Sequence, residues 1–131
     1  MSNTAFLFPG QGSQAVGMAS MLAQNSMLAR DILSEVDNAL EFKLSILMAK
    51  GPAEELQLTQ NAQPALFASS ICTLRVLQEQ TGKTISELCS YVAGHSLGEY
   101  SALCAAGSLG IAETARLLHL RGKSMQQAVP V

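Results

Sequence analysis

The chain has 131 residues, of which 48% are hydrophobic and only 14% charged, with a formal net charge of −2. Such a length holds one domain around one core, and the balance excludes a disordered chain. The eight Lys and Arg are scattered, so no basic stripe points to nucleic acid. No apolar run approaches the roughly 18 residues that a membrane helix needs. Met1-Ser2-Asn3-Thr4 carries no positively charged side chain, and the apolar stretch after it breaks at Pro9; no signal peptide is expected. Cys72, Cys89 and Cys104 form neither a C-x-x-C pair nor a metal-ligand pattern. They read as reduced thiols, which implies a cytoplasmic location.

In chain order, Ala5-Phe6-Leu7-Phe8 predicts a short buried strand, stopped by Pro9-Gly10. Gly10-Gln11-Gly12-Ser13-Gln14 follows as a polar, flexible loop. Helical periodicity covers residues 18–23 and, more clearly, 27–40. There Ile32, Leu33, Val36 and Leu40 share one face, and Ser26 is placed to cap it. Residues 44–49 predict a short helix closed by Gly51-Pro52. A long helix is expected to begin near Asn61, with Pro64 in its first turn and Thr81-Gly82 at its end. Residues 91–93 read as a second strand, 99–106 as a helix ending at Gly107, and 111–125 as a last helix. Helices separating two buried strands predict an α/β fold with the strands parallel.

Between the second strand and its helix lies Gly94-His95-Ser96-Leu97-Gly98, a G-x-S-x-G sequence in the strand–turn–helix context of a nucleophile elbow. The serine of such an elbow sits on a sharp turn with its hydroxyl pushed outward. Side chains at the flanking glycines would block both the turn and the approach of an acyl group. The helix that begins at the serine offers free N–H groups and a positive dipole end to an oxyanion. The alternative is a glycine-rich turn whose serine merely caps a helix.

At about 100° per residue, the last helix places Glu113, Arg116, Lys123 and Ser124 on one solvated arc. Arg121 stands apart, between Leu117 and Met125 at the edge of the apolar face. An arginine there needs a partner, an internal carboxylate or an anionic ligand. Snorkelling or a structural ion pair is the simpler alternative.

Four motifs now stand in order: Phe8-Pro9-Gly10-Gln11-Gly12-Ser13-Gln14, Gln63-Pro64-Ala65-Leu66, Gly94-His95-Ser96-Leu97-Gly98-Glu99-Tyr100 and Arg121-Gly122-Lys123. Together they closely resemble the malonyl-CoA:acyl carrier protein transacylases of bacterial type II fatty acid synthesis. The acyltransferase domains of polyketide and animal fatty acid synthases are similar. The resemblance runs from about Thr4 to Val131. It implies a hydrolase-like acyltransferase fold, with a parallel sheet core and flanking helices. It implies malonyl-CoA and acyl carrier protein as partners, a monomer when complete, and no metal or redox cofactor. By the same resemblance Ser96 is the nucleophile that carries the malonyl group as an ester. Leu97 and Gln11 supply the oxyanion-hole donors, and Arg121 pairs with the malonyl carboxylate, which a guanidinium fork matches bidentately. His95 is a structural or site-lining residue, and Gln63 lies near the site.

The chain departs from the family in length, because members run more than twice as long. The resemblance implies that the missing part holds a small ferredoxin-like subdomain and then the rest of the large domain. The general-base histidine and the group orienting it belong there too. Residues 1–131 are thus expected to be the incomplete N-terminal part of the large α/β domain, a fragment of an ordinary transacylase. A second chain supplying the other half and a truncated, inactive product are the alternatives. Later strands would complete the sheet, so a sheet edge and apolar helix faces are expected to lie uncovered. Ser96 needs a base. Besides His95 the chain has only His119, about 200° around the helix from Arg121 and flanked by Ala112 and Ala115, so it reads as a packing histidine.

Three functions compete: malonyl transfer to carrier protein, a general serine esterase or thioesterase, and a base-less fragment that only binds a partner. Arg121 separates the first two, because a hydrolase of neutral acyl groups has no use for it. For the third, an acidic carrier protein would need Lys or Arg near the site mouth, and Lys123, Arg116 and Arg75 are the candidates.

Overall fold

Two strands, β1 (Ala5–Phe8) and β2 (Tyr91–Gly94), pair in parallel, with Ala5 opposite Tyr91 and Phe8 opposite Gly94. The computed structural model describes residues 3–129; Met1, Ser2, Pro130 and Val131 of the expected 1–131 domain lie outside them. Between the strands run α1 (Ser20–Asn25), α2 (Met27–Leu40), α3 (Leu44–Lys50), α4 (Ala53–Gln57), α5 (Thr59–Thr81) and α6 (Ile85–Leu88). After β2 come α7 (Leu97–Ala105) and α8 (Ile111–Ala128). The fold is α/β, rich in helix around a small parallel sheet, as expected. Among the described residues, no helix is long and apolar enough to cross a membrane.

Local chemistry explains most boundaries. Ser26 caps α2, its hydroxyl accepting from the Ala29 N–H at 3.1 Å. Ile32, Leu33 and Val36 are buried as the periodicity predicts, while Leu40 is only partly buried. Asp37 joins the buried face because its carboxylate accepts the Ser45 N–H at 2.9 Å and the Ser45 hydroxyl, which ties α2 to the first turn of α3. Helix α1 starts at Ser20, later than the expected residue 18, because Ala19 is left-handed at φ 65° and cannot belong to the helix. The sequence pattern does not reveal α4 and α6, which are too short to display a 3.6-residue period. For α6 a signal existed in the Thr84–Glu87 capping box.

Helix α5 begins at Thr59, so Pro64 sits in the helix interior and not in the first turn. An interior proline costs about 3 kcal/mol or more. Residues 61–68 are all buried, and packing on every side holds the helix together across it. Helices α2, α5 and α8 pack on one another around Val36, Phe67, Ile71, Ala115 and Leu118, all essentially inaccessible to water. The crossing of α5 and α8 is close enough to exclude a side chain. A Cβ on Gly122 would lie 2.5 Å from the Gln60 Cα and 2.6 Å from the Thr59 carbonyl oxygen.

The expectation of buried strands is corrected on one face. Phe8 is buried and Phe6 and Val92 pack on the core, but Leu7 is 76% and Tyr91 73% exposed. Parallel sheets are normally covered on both faces; the described helices cover one. The three cysteines are free and buried, and burial pushes the Cys72 thiol from its ordinary 9.0 up to about 12.

Two stability measurements check this packing. Gly122→Ala should lower unfolding free energy by about 1–3 kcal/mol in urea, because the new methyl meets backbone and cannot be accommodated by a rotamer change. For Cys72, the folded chain keeps its proton above pH 9 while the unfolded chain loses it. Stability should therefore fall as pH rises from 9 towards 12, by about 1.4 kcal/mol per pH unit. Titration of the unfolding midpoint against a Cys72→Ala variant, which lacks that slope, isolates the effect.

Candidate active site

The parallel register brings two chain reversals to the same end of the sheet. Phe8 and Gly94 are partners, so the turn after β1 and the elbow after β2 leave side by side, at the carboxyl ends where α/β proteins bind ligands. Ser96 occupies φ 60°, ψ −118°, a backbone conformation that costs a non-glycine residue of order 1–3 kcal/mol. The turn is closed by Gly98 N–H on the His95 carbonyl and Glu99 N–H on the Ser96 carbonyl, both at 3.0 Å. Its glycines are demanded by contact between backbones. A Cβ on Gly94 would sit 2.0 Å from the Gly98 carbonyl oxygen, and one on Gly98 would sit 2.2 Å from that of Phe8.

Helix α7 starts at Leu97, immediately after Ser96, so the Leu97 N–H is among the N-terminal donors that lack an intrahelical acceptor. Ser96 makes no side-chain cap bond to α7, which removes the reading of the serine as a mere cap. Its hydroxyl instead accepts from Arg121 Nη2 at 3.2 Å. Arg121 Nη1 donates to Gln63 Oε1 at 2.8 Å, and the guanidinium carbon lies 5.5 Å from the centre of the Tyr100 ring. Gln63 is 1% exposed, and its amide nitrogen donates to Met125 Sδ at 3.3 Å. Serine, arginine and glutamine therefore meet from three helices' ends or faces, and among the described residues the partners of the half-buried Arg121 are uncharged.

The loop after β1 is tethered, not free as its composition suggests. Gln11 donates through Nε2 to Thr59 Oγ1 at 3.2 Å, and Gln14 through Nε2 to Gln57 Oε1 at 2.6 Å. Gln14 Oε1 also accepts the Gly12 N–H at 2.8 Å. Gly10 lies against the elbow, where an added Cβ would be 2.9 Å from the His95 carbonyl oxygen. Gln11 thus follows directly on a backbone contact with the elbow, and its side chain points to the start of α5. His95 is exposed.

His119 stands outside this group, as its helix position predicts. Nδ1 is 2.9 Å from the Gln60 carbonyl oxygen and the ring packs at 5.4 Å on Phe42. Lys123 shares a groove with His119 and Phe42 and so is not beside Arg121. Arg116 is exposed, and Arg75 is partly buried with Nη1 on Gln78 Oε1 at 2.7 Å. Tyr100 and Met125 are contacts that sequence reasoning left without a role. Tyr100 carried a signal, because it follows Ser96 by four residues and so stands one helical turn along α7.

A parallel sheet whose strand ends present a strained serine beside an arginine defines an α/β protein with a nucleophile elbow. Residues 5–131 match the acyl transferase domain family, and the chain belongs to that family. It is 48% identical over 130 residues to the malonyl CoA-acyl carrier protein transacylase of Salmonella typhimurium, covering 99% of this chain and 41% of that one. The malonyl CoA-acyl carrier protein transacylase of Bacillus subtilis strain 168 is 49% identical, with 99% and 39% covered. Among solved structures, the acyl-carrier-protein-S-malonyltransferase of Bartonella henselae superposes with a TM-score of 0.94 at 53% identity, over 99% of this chain and 41% of that one. A malonyl-transacylase in complex with a type II PKS acyl-carrier protein gives 0.90 at 46%, over 98% and 40%. The chain spans about two fifths of the length of the curated relatives it matches.

The elbow strain can be weighed directly. Ser96→Gly and Ser96→Ala both remove the hydroxyl, but only glycine relaxes at φ 60°. The glycine variant should be the more stable by about 1 kcal/mol in chemical denaturation. Equal stabilities would mean the turn stores no strain.

Proposed function

We propose that this chain contributes nucleophile, oxyanion donors and carboxylate clamp to the transfer of a malonyl group from malonyl-CoA to the phosphopantetheine thiol of acyl carrier protein. The observation that carries this reading is the guanidinium fork of Arg121, which spans Gln63 Oε1 and Ser96 Oγ. Its arms are held by neutral acceptors, so its charge is available to an incoming carboxylate. A carboxylate bound there lies beside the hydroxyl that attacks, which selects a diacid half-thioester over a neutral acyl group.

Ser96 Oγ attacks the thioester carbonyl, and its proton passes to a general base. The developing oxyanion is met by the Leu97 N–H at the start of α7 and by Gln11. Collapse breaks the carbon–sulfur bond, coenzyme A leaves as the thiol, and malonyl remains as the serine ester. The carrier thiol then attacks the ester and restores the serine hydroxyl. His119 does not serve as the base, because it is engaged with the Gln60 carbonyl. His95 directly precedes the nucleophile on a tight turn, a position that argues against the base role. The base accordingly belongs to the remaining part of a family-length protein, with residues 1–131 as the first part of its large α/β domain. The chemistry needs no metal or redox cofactor, since acyl transfer changes no oxidation state and the oxyanion is met by N–H donors. The protein is a cytoplasmic monomer acting in fatty acid synthesis.

The product of the native gene should gain a malonyl-sized mass on incubation with malonyl-CoA, and Ser96→Ala should abolish the gain. Arg121→Ala should reduce malonyl transfer on the order of tenfold to a hundredfold while keeping or raising use of acetyl-CoA. Equal loss with both substrates would sink the clamp. Hydrolysis of malonyl-CoA without transfer to carrier protein would make the protein a thioesterase.

A further inference from the structure

Pro64 lies inside α5 and has no N–H. The carbonyl four residues earlier, that of Gln60, is thereby denied its helical hydrogen bond, and the proline ring pushes it outward. The residue facing that carbonyl is His119 of α8, with Nδ1 at 2.9 Å. A carbonyl oxygen only accepts, so Nδ1 carries the proton. The imidazole is partly buried and lies tilted on Phe42, 5.4 Å between ring centres.

Gln60 meets α8 at a second point. Gly122, three residues after His119 and on the same face, admits the Gln60 Cα into the space a side chain would fill. One residue of α5 is therefore gripped by two residues of α8. Three residues along α5 from Gln60 is Gln63, and its bond partner Arg121 immediately precedes Gly122. Sliding α8 by one residue moves it about 1.5 Å, enough to break a hydrogen bond of that kind.

We propose that His119 is a positioning residue for the carboxylate clamp: by replacing the hydrogen bond that Pro64 denies the Gln60 carbonyl, it fixes the register of α8 on α5 and so aims Arg121 at Gln63 and Ser96. The inference rests on the reading of Arg121 as the clamp. A histidine that only fills space would give a different result, since its loss would lower stability and leave the preference between malonyl and acetyl groups unchanged.

The test uses the native gene product, with malonyl-CoA and acetyl-CoA as paired substrates. His119→Ala should raise KM for malonyl-CoA on the order of tenfold and leave that for acetyl-CoA near its original value. His119→Asn, whose amide nitrogen stands where Nδ1 stood, should restore most of the preference. Pro64→Ala returns an N–H to the Gln60 carbonyl, so in that background His119→Ala should have little further effect. If His119→Ala does not fold, the Pro64→Ala/His119→Ala pair and His119→Asn still decide. A wild-type malonyl-to-acetyl ratio in His119→Ala, with the ratio shifted in Arg121→Ala, overturns the positioning role and leaves the clamp standing. An unshifted ratio in both overturns the two together. The imidazole ¹⁵N signals of His119 are assigned by their loss in His119→Asn. A His119 found with its proton on Nε2 alone would also overturn the inference.

Discussion

A Cβ at residue 122 would approach the Gln60 Cα to 2.5 Å, so α8 meets α5 backbone to backbone. That contact sets the distance between the two helices that carry Gln63 and Arg121. At a normal helix separation of 8–10 Å ordinary side chains keep backbones apart. Here glycine removes the spacer, and the partly buried amide–guanidinium contact between Gln63 and Arg121 becomes short and direct. The same closeness lets an imidazole reach a main-chain carbonyl that an interior proline has set free. Proline, histidine and glycine thus act on one residue of α5. None of the three would explain itself alone.

The elbow depends on a second close contact, between the turn and the end of β1. Gly98 rests on the Phe8 carbonyl, and the in-register pairing of Phe8 with Gly94 leaves no slack between the two reversals. The strained conformation of Ser96 persists because the surrounding backbone over-determines it. Its cost is returned as exposure of the hydroxyl, which makes no cap bond and faces Arg121 instead. Strain at the serine and missing side chains at its neighbours are one feature, a turn too tight for anything else.

Arg121 is the electrostatic centre of the arrangement. An amide oxygen, a hydroxyl and an aromatic face satisfy part of its hydrogen-bonding and solvation needs without cancelling its charge. A carboxylate partner would have given a closed structural ion pair. With neutral partners the guanidinium is oriented yet remains attractive to anions. The bare outer face of the sheet, with Leu7 and Tyr91 exposed, stands in contrast to the fully packed junction of α2, α5 and α8.

Periodicity and turn chemistry in the sequence were enough to place both strands, the capped α2, the glycine end of α5 and the elbow, because each is written in residues close together in the chain. The family motifs likewise pointed to Ser96, Gln63 and Arg121 as neighbours. Short helices α4 and α6 escaped because fewer than two turns carry no readable period. The interior position of Pro64 escaped because burial on all sides overrode a local preference that ends helices. The solvent-facing side of the strands escaped because an apolar run does not say how many faces are covered. By itself, then, the sequence determined both strands and the longer helices, the serine on its tight turn and the arginine near an apolar edge, since these follow from local spacing. Only the tertiary structure decided that Arg121 spans Gln63 and Ser96, that Gln11 reaches Thr59, and that His119 serves the Gln60 carbonyl. Those contacts join residues 25 to 59 positions apart, and their existence depends on how closely two helices lie, which no local pattern encodes.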